Sequence, residues 1–243
     1  MPVVTISGST GSRAIEIGRM VAGKLGFDYV DRQILQEAAR ALGVSERDIA
    51  GRDDQSPPPR LRKRLASFFQ DFLERSAIAG AADPLMATGG LETLMATTYR
   101  EAAALPAGGR EELTDNRYKE AITTIMTGLA EKGDVVIIGR GSQAILRDRP
   151  DALHVAITAP FSVRVERIAQ RDAVPPEKAK ETVEESDRGR QDYHHKYFKI
   201  DPNDPCLYDV VVNSGRMAEE AAAQVIVAAL YAKLSPPTQG KGE

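Results

Sequence analysis

The stretch VVTISGSTGSRAIEIG, residues 3–18, decides the fold. It begins with the apolar, β-branched run Val3 to Ile6, which predicts a buried strand of a parallel sheet. A loop with Gly8 and Gly11 follows, and apolar residues then recur at helical spacing from Ile15. A strand that leads through a glycine-containing loop into a helix directs backbone N–H groups at an anion. The stretch therefore predicts either a phosphate-binding loop or a tight strand-to-helix turn.

The loop lacks most side chains of the common phosphate-loop pattern G-x-x-x-x-G-K-[ST]. Counted from Gly8, Arg13 stands at the second glycine, Ala14 at the lysine and Ile15 at the hydroxyl residue. The lysine of that pattern reaches the β- and γ-phosphates, and the hydroxyl binds Mg²⁺. A phosphate site here would therefore need a cation from another position.

Composition limits the class of protein. The chain has 243 residues, 42% of them hydrophobic, and a net charge of −3. This charge does not favour a nucleic-acid binder, because binding to a phosphate backbone needs clustered cations. Cys206 is the single cysteine, which excludes a disulfide framework, and the adjacent His194 and His195 have no third ligand at metal-binding spacing. Without a signal-peptide or transmembrane pattern, we expect a cytoplasmic protein with no membrane partner.

The remaining patterns predict an α/β sheet interrupted by a helical segment. Further strands are expected at residues 27–31, 134–142, 152–160 and 208–214, and helices at 32–42, 115–132 and 217–234. Residues 60–104 show no strong strand signal, so we predict a helical insertion at about 52–115. One domain is thus expected over residues 1–234, with a disordered tail at 235–243.

A second glycine-containing segment carries an arginine. In VVIIGRGSQAIL, residues 135–146, a buried strand ends at Gly139, Arg140 and Gly141. Arg140 is thus expected at the carboxyl end of a strand, with glycines on both sides. Arginine is suited to bidentate binding of phosphate. The alternative is a surface arginine that caps a loop.

A third segment, ESDRGRQDYHHKY at residues 185–197, contains Asp187, Arg188 and Arg190. Residues two apart on a helix do not share a face. If both arginines act, the segment is therefore expected to be a lid whose helix starts or breaks near Gly189. A solvated, charged helix is the alternative.

In their order and spacing, these segments resemble the cytidylate kinase-like family, a branch of the P-loop nucleoside monophosphate kinases. GSTGSRA takes the place of the family's phosphate loop, GRG (139–141) that of its G-R-D segment, and DRGR (187–190) that of its D-R-x-R lid. The resemblance covers residues 1 to about 50 and 115–234. It implies an α/β, P-loop NTPase-type three-layer fold with a parallel central sheet and a helical insertion.

The chain also departs from the family's patterns. The cytidylate kinase-like branch often has S-R-E-Y-G-S-G-G-R-E-I at the loop, itself without the standard lysine, whereas this chain has Arg13, Ala14 and Ile15 where the branch has Gly-Gly-Arg. The aspartate of G-R-D, which helps to hold the monophosphate nucleotide, is replaced by Gly141. The chain keeps six other loop residues of the branch: Ile6, Ser7, Gly11, Ser12, Glu16 and Ile17.

The resemblance implies ATP-dependent phosphoryl transfer to a CMP-like nucleoside monophosphate, with Mg²⁺ as cofactor. The donor phosphates would be bound by Gly8, Ser9, Thr10, Gly11 and Ser12. The catalytic cations would be Arg13, in place of the lysine, and the lid arginines Arg188 and Arg190. The acceptor would be bound by Arg140 and Asp31, with Asp187 on its ribose or on Mg²⁺.

Two other functions fit the sequence. A nucleotide-binding or sensing protein without turnover would account for the absent lysine and for Gly141. A structural or interaction protein would use the stripe Phe68, Phe69 and Phe72, although such a stripe more often packs into a core. The sequence does not indicate the oligomeric state.

Overall fold

The computed structural model describes residues 1–31 and 107–235, and elements are numbered over these residues. The strands are β1 (Val3–Gly8), β2 (Asp28–Val30), β3 (Val135–Ile138), β4 (Ala152–Thr158) and β5 (Val210–Asn213). The helices are α1 (Ala14–Leu25), α2 (Ala107–Lys132), α3 (Ser142–Ile145), α4 (Phe161–Asp172), α5 (Pro176–Phe198) and α6 (Glu219–Leu234). A short 3₁₀ helix spans Pro205–Leu207.

Within the described residues, five strands form one sheet in the order β2-β3-β1-β4-β5. Every neighbouring pair is parallel. The central strand β1 places Ile6 beside Ile138 of β3 and Val155 of β4. The predicted parallel α/β sheet is confirmed, and its carboxyl ends open at a single edge.

The inner strands β1, β3 and β4 are mostly apolar and are buried on both faces, as expected for a parallel sheet covered by helices. Helices α1 and α6 pack on the sheet in one buried cluster that includes Val4, Ile17 and Ile226. Gly18 of α1 lies so close to Ile138 that a Cβ atom would overlap the Ile138 side chain. This close approach fixes the start of α1 against the strands that carry the candidate site.

The strand predictions are confirmed, whereas two helix predictions need correction. The helix expected from Asp115 begins at Ala107. The lid helix that would start or break near Gly189 is not found, because α5 is continuous from Pro176 to Phe198, as the alternative of a charged helix predicts. Gly189 is exposed, and a glycine in an exposed helix costs only about 1 kcal/mol relative to alanine. The predictions for residues 32–106 and 236–243, the phenylalanine stripe included, lie outside the described residues.

The chain divides into two compact units, residues 1–32 with 130–243, and residues 33–129. The first unit holds the sheet. The described part of the second belongs to α2, whose buried side chains include Ile122, Ile125 and Met126. Of the helices in residues 1–31 and 107–235, none has the length and apolar character needed to cross a membrane.

Candidate functional site

Two loops, Ser214 and Asp31 lie at the carboxyl edge of the sheet. Residues 8–13, called the first loop, join β1 to α1, and residues 139–141, called the second loop, join β3 to α3. Ser214 follows β5 directly. In open α/β sheets, ligands bind in the crevice outside the carboxyl ends of the strands. This edge is therefore the candidate functional site.

The first loop turns sharply before α1 begins at Ala14. Gly11 and Arg13 both have left-handed backbones, with φ of 80° and 65°. The Ser12 N–H donates to the Ser9 carbonyl at 3.0 Å and closes the turn. Within residues 1–31 and 107–235, no acceptor is bound by the backbone N–H groups of Gly11, Arg13 and Ala14. These groups stand at the positive end of the α1 dipole, where an anion is stabilised.

Two glycines are required by the close packing of this loop. At Gly8, a Cβ atom would overlap that of Ala14 and lie 2.7 Å from the Ser12 Oγ. At Gly11, it would lie 2.8 Å from the carbonyl oxygen of Arg164 in α4. The Ser12 Oγ is buried, and no hydrogen-bond partner for it is found among the described residues. The loop interior thus contains an unsatisfied hydroxyl beside unsatisfied N–H groups.

The positive charge of Arg13 is opposed by an acidic side chain. Its Nη1 forms an ion pair with the Oε1 of Glu219 in α6 at 2.9 Å. The two side chains are 40% and 29% exposed, and a pair this exposed contributes only about 0–1 kcal/mol. An anion could therefore compete with Glu219 for Arg13.

Arg190 of α5 reaches the end of β1. Its guanidinium donates to the Ser7 Oγ at 3.0 Å, to the Asn203 Oδ1 at 2.9 Å and to the Pro202 carbonyl at 3.0 Å. Burial lowers the pKa of Arg190 below its ordinary value, which marks the guanidinium as desolvated. Arg188, two residues earlier on the helix, is exposed. The structure thus brings Arg190, but not Arg188, to the strand that carries the first loop.

Helix α4 supplies two arginines that the sequence patterns did not single out. Arg164 is buried and holds both carboxylate oxygens of Asp187, at 2.9 and 2.7 Å. Arg167 donates to the Gly11 carbonyl at 3.1 Å and to the Ser214 carbonyl at 2.7 Å. Their spacing of three residues places them on one side of α4, but the sequence pattern does not indicate that this side faces the first loop. Asp187 therefore forms an ion pair with Arg164 instead of facing the crevice without a partner.

The second loop carries Arg140 in a left-handed conformation, with φ of 55°. Its guanidinium lies over the ring of Tyr193, with 5.4 Å between the Arg140 Cζ and the ring centroid. At Gly141, which has φ of 73°, a Cβ atom would overlap the ring of Phe198. Phe198 therefore fills the space in which the aspartate of a G-R-D segment would begin its side chain.

Asp31 follows the edge strand β2. Its Oδ2 lies 3.9 Å from the Nη2 of Arg19, and its side chain is largely buried. Burial, and after it the charge of Asp31, raises the pKa of Tyr29 above its ordinary value. The carboxylate lies at the carboxyl edge of the sheet, after the strand next to the one that carries the second loop.

No group of three His, Cys, Asp or Glu side chains suited to a metal ion occurs in the part of the chain that the structure describes. His194 is buried, with its Nδ1 at 2.8 Å from the Arg190 carbonyl, so this histidine is part of the helix packing. The Ser12 hydroxyl is a chemically suitable oxygen ligand for Mg²⁺, which commonly takes most of its ligands from phosphates and water. The residues present fit a metal ion carried in by a nucleotide.

Comparisons with known proteins identify the family and several relatives of this chain. The sequence profile described as "Cytidylate kinase-like family" matches residues 3–216. A cytidylate kinase of Methanopyrus kandleri is 28% identical over 124 residues, which are 48% of this chain and 60% of that protein. A cytidylate kinase of Halorubrum lacusprofundi is 30% identical over 127 residues, which are 52% of this chain and 62% of that protein. The matches thus span less than two thirds of these relatives.

One solved structure supports the fold. The crystal structure of an uncharacterized protein from Eubacterium ventriosum superimposes with a TM-score of 0.61 and covers 95% of this chain and 99% of that one. Only 14% of the aligned residues are identical. The likeness therefore concerns the architecture and not the chemistry of the site.

Proposed function

Because the chain belongs to the cytidylate kinase-like family, we propose that it transfers the γ-phosphoryl group of ATP to a CMP-like nucleoside monophosphate. The observation that carries the proposal is the first loop, whose unsatisfied N–H groups stand at the start of α1. Phosphoryl transfer consists mainly of positioning and of neutralising charge. Backbone N–H groups and arginines at one edge of a sheet can supply both.

The proposal gives each residue a role. The first loop, from Gly8 to Ser12, binds the donor phosphates through its backbone. Arg13 and Arg190 neutralise charge on the transferred group, and Arg188 joins them if α5 moves. Arg140 and Asp31 bind the acceptor, while Asp187 acts through its ion pair with Arg164 or on the acceptor ribose. We propose small nucleotides as partners, with no nucleic acid and no membrane, and the cytoplasm as the compartment.

Mg²⁺ would be held by the nucleotide phosphates together with the Ser12 hydroxyl. When bound, it neutralises charge on the β- and γ-phosphates. Everything else in the proposal depends on this chain's own groups. The N–H groups of the first loop orient the donor, and Arg190 stays charged in its desolvated position because an arginine does not deprotonate in proteins.

A second candidate function is nucleotide binding without turnover. Two observations favour it: Arg13 is paired with Glu219 at 2.9 Å, and Phe198 occupies the space beside Gly141. The first reduces the charge that Arg13 offers to the donor, and the second removes a contact to the acceptor. Both functions require the first loop to bind a nucleotide, so binding alone does not separate them.

A coupled assay of ADP release decides between the two. ATP and Mg²⁺ are supplied with CMP, dCMP, UMP or AMP, and turnover is expected to be fastest with a pyrimidine monophosphate. A thermal-shift measurement with ATP and Mg²⁺ runs beside it, because a bound nucleotide raises the melting temperature. Turnover with none of the four acceptors, together with a clear shift, would replace the kinase proposal by the sensing one. No shift with any nucleotide would contradict both.

A further inference from the structure

Three consecutive carbonyl oxygens of the first loop accept hydrogen bonds from side chains outside it. The pairs are Arg164 with Thr10 at 3.3 Å, Arg167 with Gly11 at 3.1 Å and Ser214 with Ser12 at 2.7 Å. The donors come from α4, which follows β4, and from the residue that follows β5. The loop backbone is thus held by side chains from the segments that follow β4 and β5.

This anchoring fixes the direction of the loop's N–H groups. In a trans peptide unit, the C=O and N–H bonds point in opposite directions. Holding the carbonyls of Thr10, Gly11 and Ser12 outward therefore turns the N–H groups of Gly11, Ser12 and Arg13 inward. The Ser12 N–H already bonds the Ser9 carbonyl at 3.0 Å. The other two remain available, in the alternating backbone conformation that forms anion-binding nests.

Arg167 and Ser214 act as one unit. The Arg167 guanidinium donates to the Ser214 Oγ at 3.1 Å and to the Ser214 carbonyl at 2.7 Å as well as to Gly11. The Ser214 Oγ lies 2.7 Å from the Ser12 carbonyl, and Ser214 is buried. Two of its acceptors are backbone carbonyls, and one of these, Gly11, belongs to the first loop itself, so the guanidinium is directed at the loop backbone. Its geometry favours a supporting role over direct contact with a ligand.

We propose that Arg167 and Ser214 are positioning residues that hold the first loop in its anion-binding form. The ligand class is the diphosphate or triphosphate group of a nucleotide, so the inference rests on the proposed function. In a loop without lysine, affinity depends on the direction of the N–H groups. Because misdirected N–H groups cannot be replaced by a flexible cation, the two anchoring residues should matter for affinity as much as a direct ligand does.

Isothermal titration with ADP and with inorganic pyrophosphate tests this role. Ser214→Ala removes only a hydroxyl. We expect it to lower the affinity for both ligands by the same factor of about ten, the usual effect of one hydrogen bond that involves a charged group. Arg167→Ala should weaken both at least as much. Equal factors are expected because the loop contacts the phosphates, which the two ligands share, and not the nucleoside.

Arg149→Ala is the matched control. Arg149, like Arg167, is a half-buried arginine that is held by hydrogen bonds. Its Nε lies 2.6 Å from the Asp151 Oδ1, and it stands just before β4 at the amino edge of the sheet. Its loss should lower the melting temperature of the unliganded protein without changing either affinity. All titrations are made well below the melting temperature of the least stable variant. A merely structural role would make the Arg167 and Ser214 variants behave as this control does.

Arg167→Lys separates positioning from charge. Lysine keeps the positive charge but cannot reproduce the planar fork that reaches Gly11 and Ser214 together. We expect Arg167→Lys to bind pyrophosphate as weakly as Arg167→Ala does. Wild-type affinity in Arg167→Lys, or in Ser214→Ala, would overturn the positioning role. Wild-type protein that binds neither ADP nor pyrophosphate would instead overturn the proposed function, and the positioning role with it.

Discussion

The first and second loops follow neighbouring strands at the same edge of the sheet, yet they are built in opposite ways. Both hold an arginine in a left-handed conformation, Arg13 with φ of 65° and Arg140 with φ of 55°. The first loop opens a helix of 12 residues, and the second opens one of 4 residues. The first is anchored from outside by side chains that bind its carbonyls, whereas the second is covered by aromatic rings of α5.

This difference separates two ways of binding an anion. A long helix carries aligned peptide dipoles and presents N–H groups of fixed direction. A four-residue helix offers little of this, so the second loop depends on the Arg140 side chain, which is stacked on Tyr193. We therefore expect backbone changes to damage the first loop most, and side-chain changes to damage the second.

Gly11→Ala should have the largest effect. The new Cβ atom would meet the Arg164 carbonyl at 2.8 Å, at a residue with φ of 80°. Strain and collision together should cost about 2 kcal/mol or more, and nucleotide affinity should fall by about a hundredfold or more if two N–H contacts are lost. Urea unfolding and titration with ADP measure the two quantities.

Gly139→Ala is the matched variant in the second loop. Its φ is 73°, but an added Cβ atom would meet nothing within 4 Å. Only the left-handed strain should appear, about 1 kcal/mol, with ADP affinity unchanged. Equal losses of ADP affinity in the two variants would mean that the loops do not differ as described.

Arg140→Ala should have the second largest effect, confined to the acceptor. Removal of a charge-assisted contact costs about 1.5–3 kcal/mol, which corresponds to an increase of about 10- to 100-fold in the acceptor KM. The KM for ATP and the urea midpoint should stay at wild-type values. Arg147→Ala, at an exposed arginine paired with Asp148, serves as the control. An unchanged acceptor KM in Arg140→Ala would remove the second loop from the acceptor site.

Arg13→Ala tests whether the first loop also uses a side chain. We expect kcat/KM for ATP to fall by about tenfold, the effect of one charge-assisted hydrogen bond. Glu219→Gln, which removes the competing partner, should raise the affinity for ATP. The control is Glu220→Gln, since Glu220 pairs with Lys24 in the last turn of α1, away from the loop. If Arg13→Ala retains full activity, the loop acts through its backbone alone.

The sequence predicted the backbone of the site better than its side chains. The β-branched runs before Gly8 and Gly139 specify both strands, because buried parallel strands have few other compositions. The first loop was found through its glycines, which packing does require at Gly8 and Gly11. These features are local in sequence, so a pattern can detect them.

The anchors of the first loop were not predictable in the same way. Arg164 and Arg167 lie on an amphipathic helix, where arginines usually face solvent. Their contacts with Thr10 and Gly11 join residues about 150 positions apart in the chain. Likewise, nothing local to Gly141 indicates that the Phe198 ring covers it. Such contacts depend on how α4 and α5 pack, which periodicity does not specify. The extent of the domain and of the insertion stays a prediction.

The smallest expected effect is a dependence of the free energy of unfolding on pH. It arises from a histidine that packs next to the second loop. His194 packs beside Tyr193 and Phe198, the residues that cover this loop, with ring centroids 5.5 and 6.3 Å apart. Burial lowers the pKa of His194 from its ordinary value of 6.5. Below that pH, the unfolded chain binds a proton that the folded chain excludes, so the free energy of unfolding falls as the pH decreases.

His194→Gln should remove this part of the pH dependence, whereas His195→Gln, at the exposed neighbouring histidine, should retain it. Urea unfolding at about pH 5.5 and about pH 7.5 gives the comparison, because the contribution of a histidine kept neutral is complete above its unfolded-state pKa and is lost below it. The affinity for pyrophosphate at the first loop should be the same in both variants at either pH. A loss of pyrophosphate affinity in His194→Gln alone would show that α5 couples the two loops. The connection would run from His194 to the carbonyl of Arg190, whose guanidinium binds Ser7 at the end of β1.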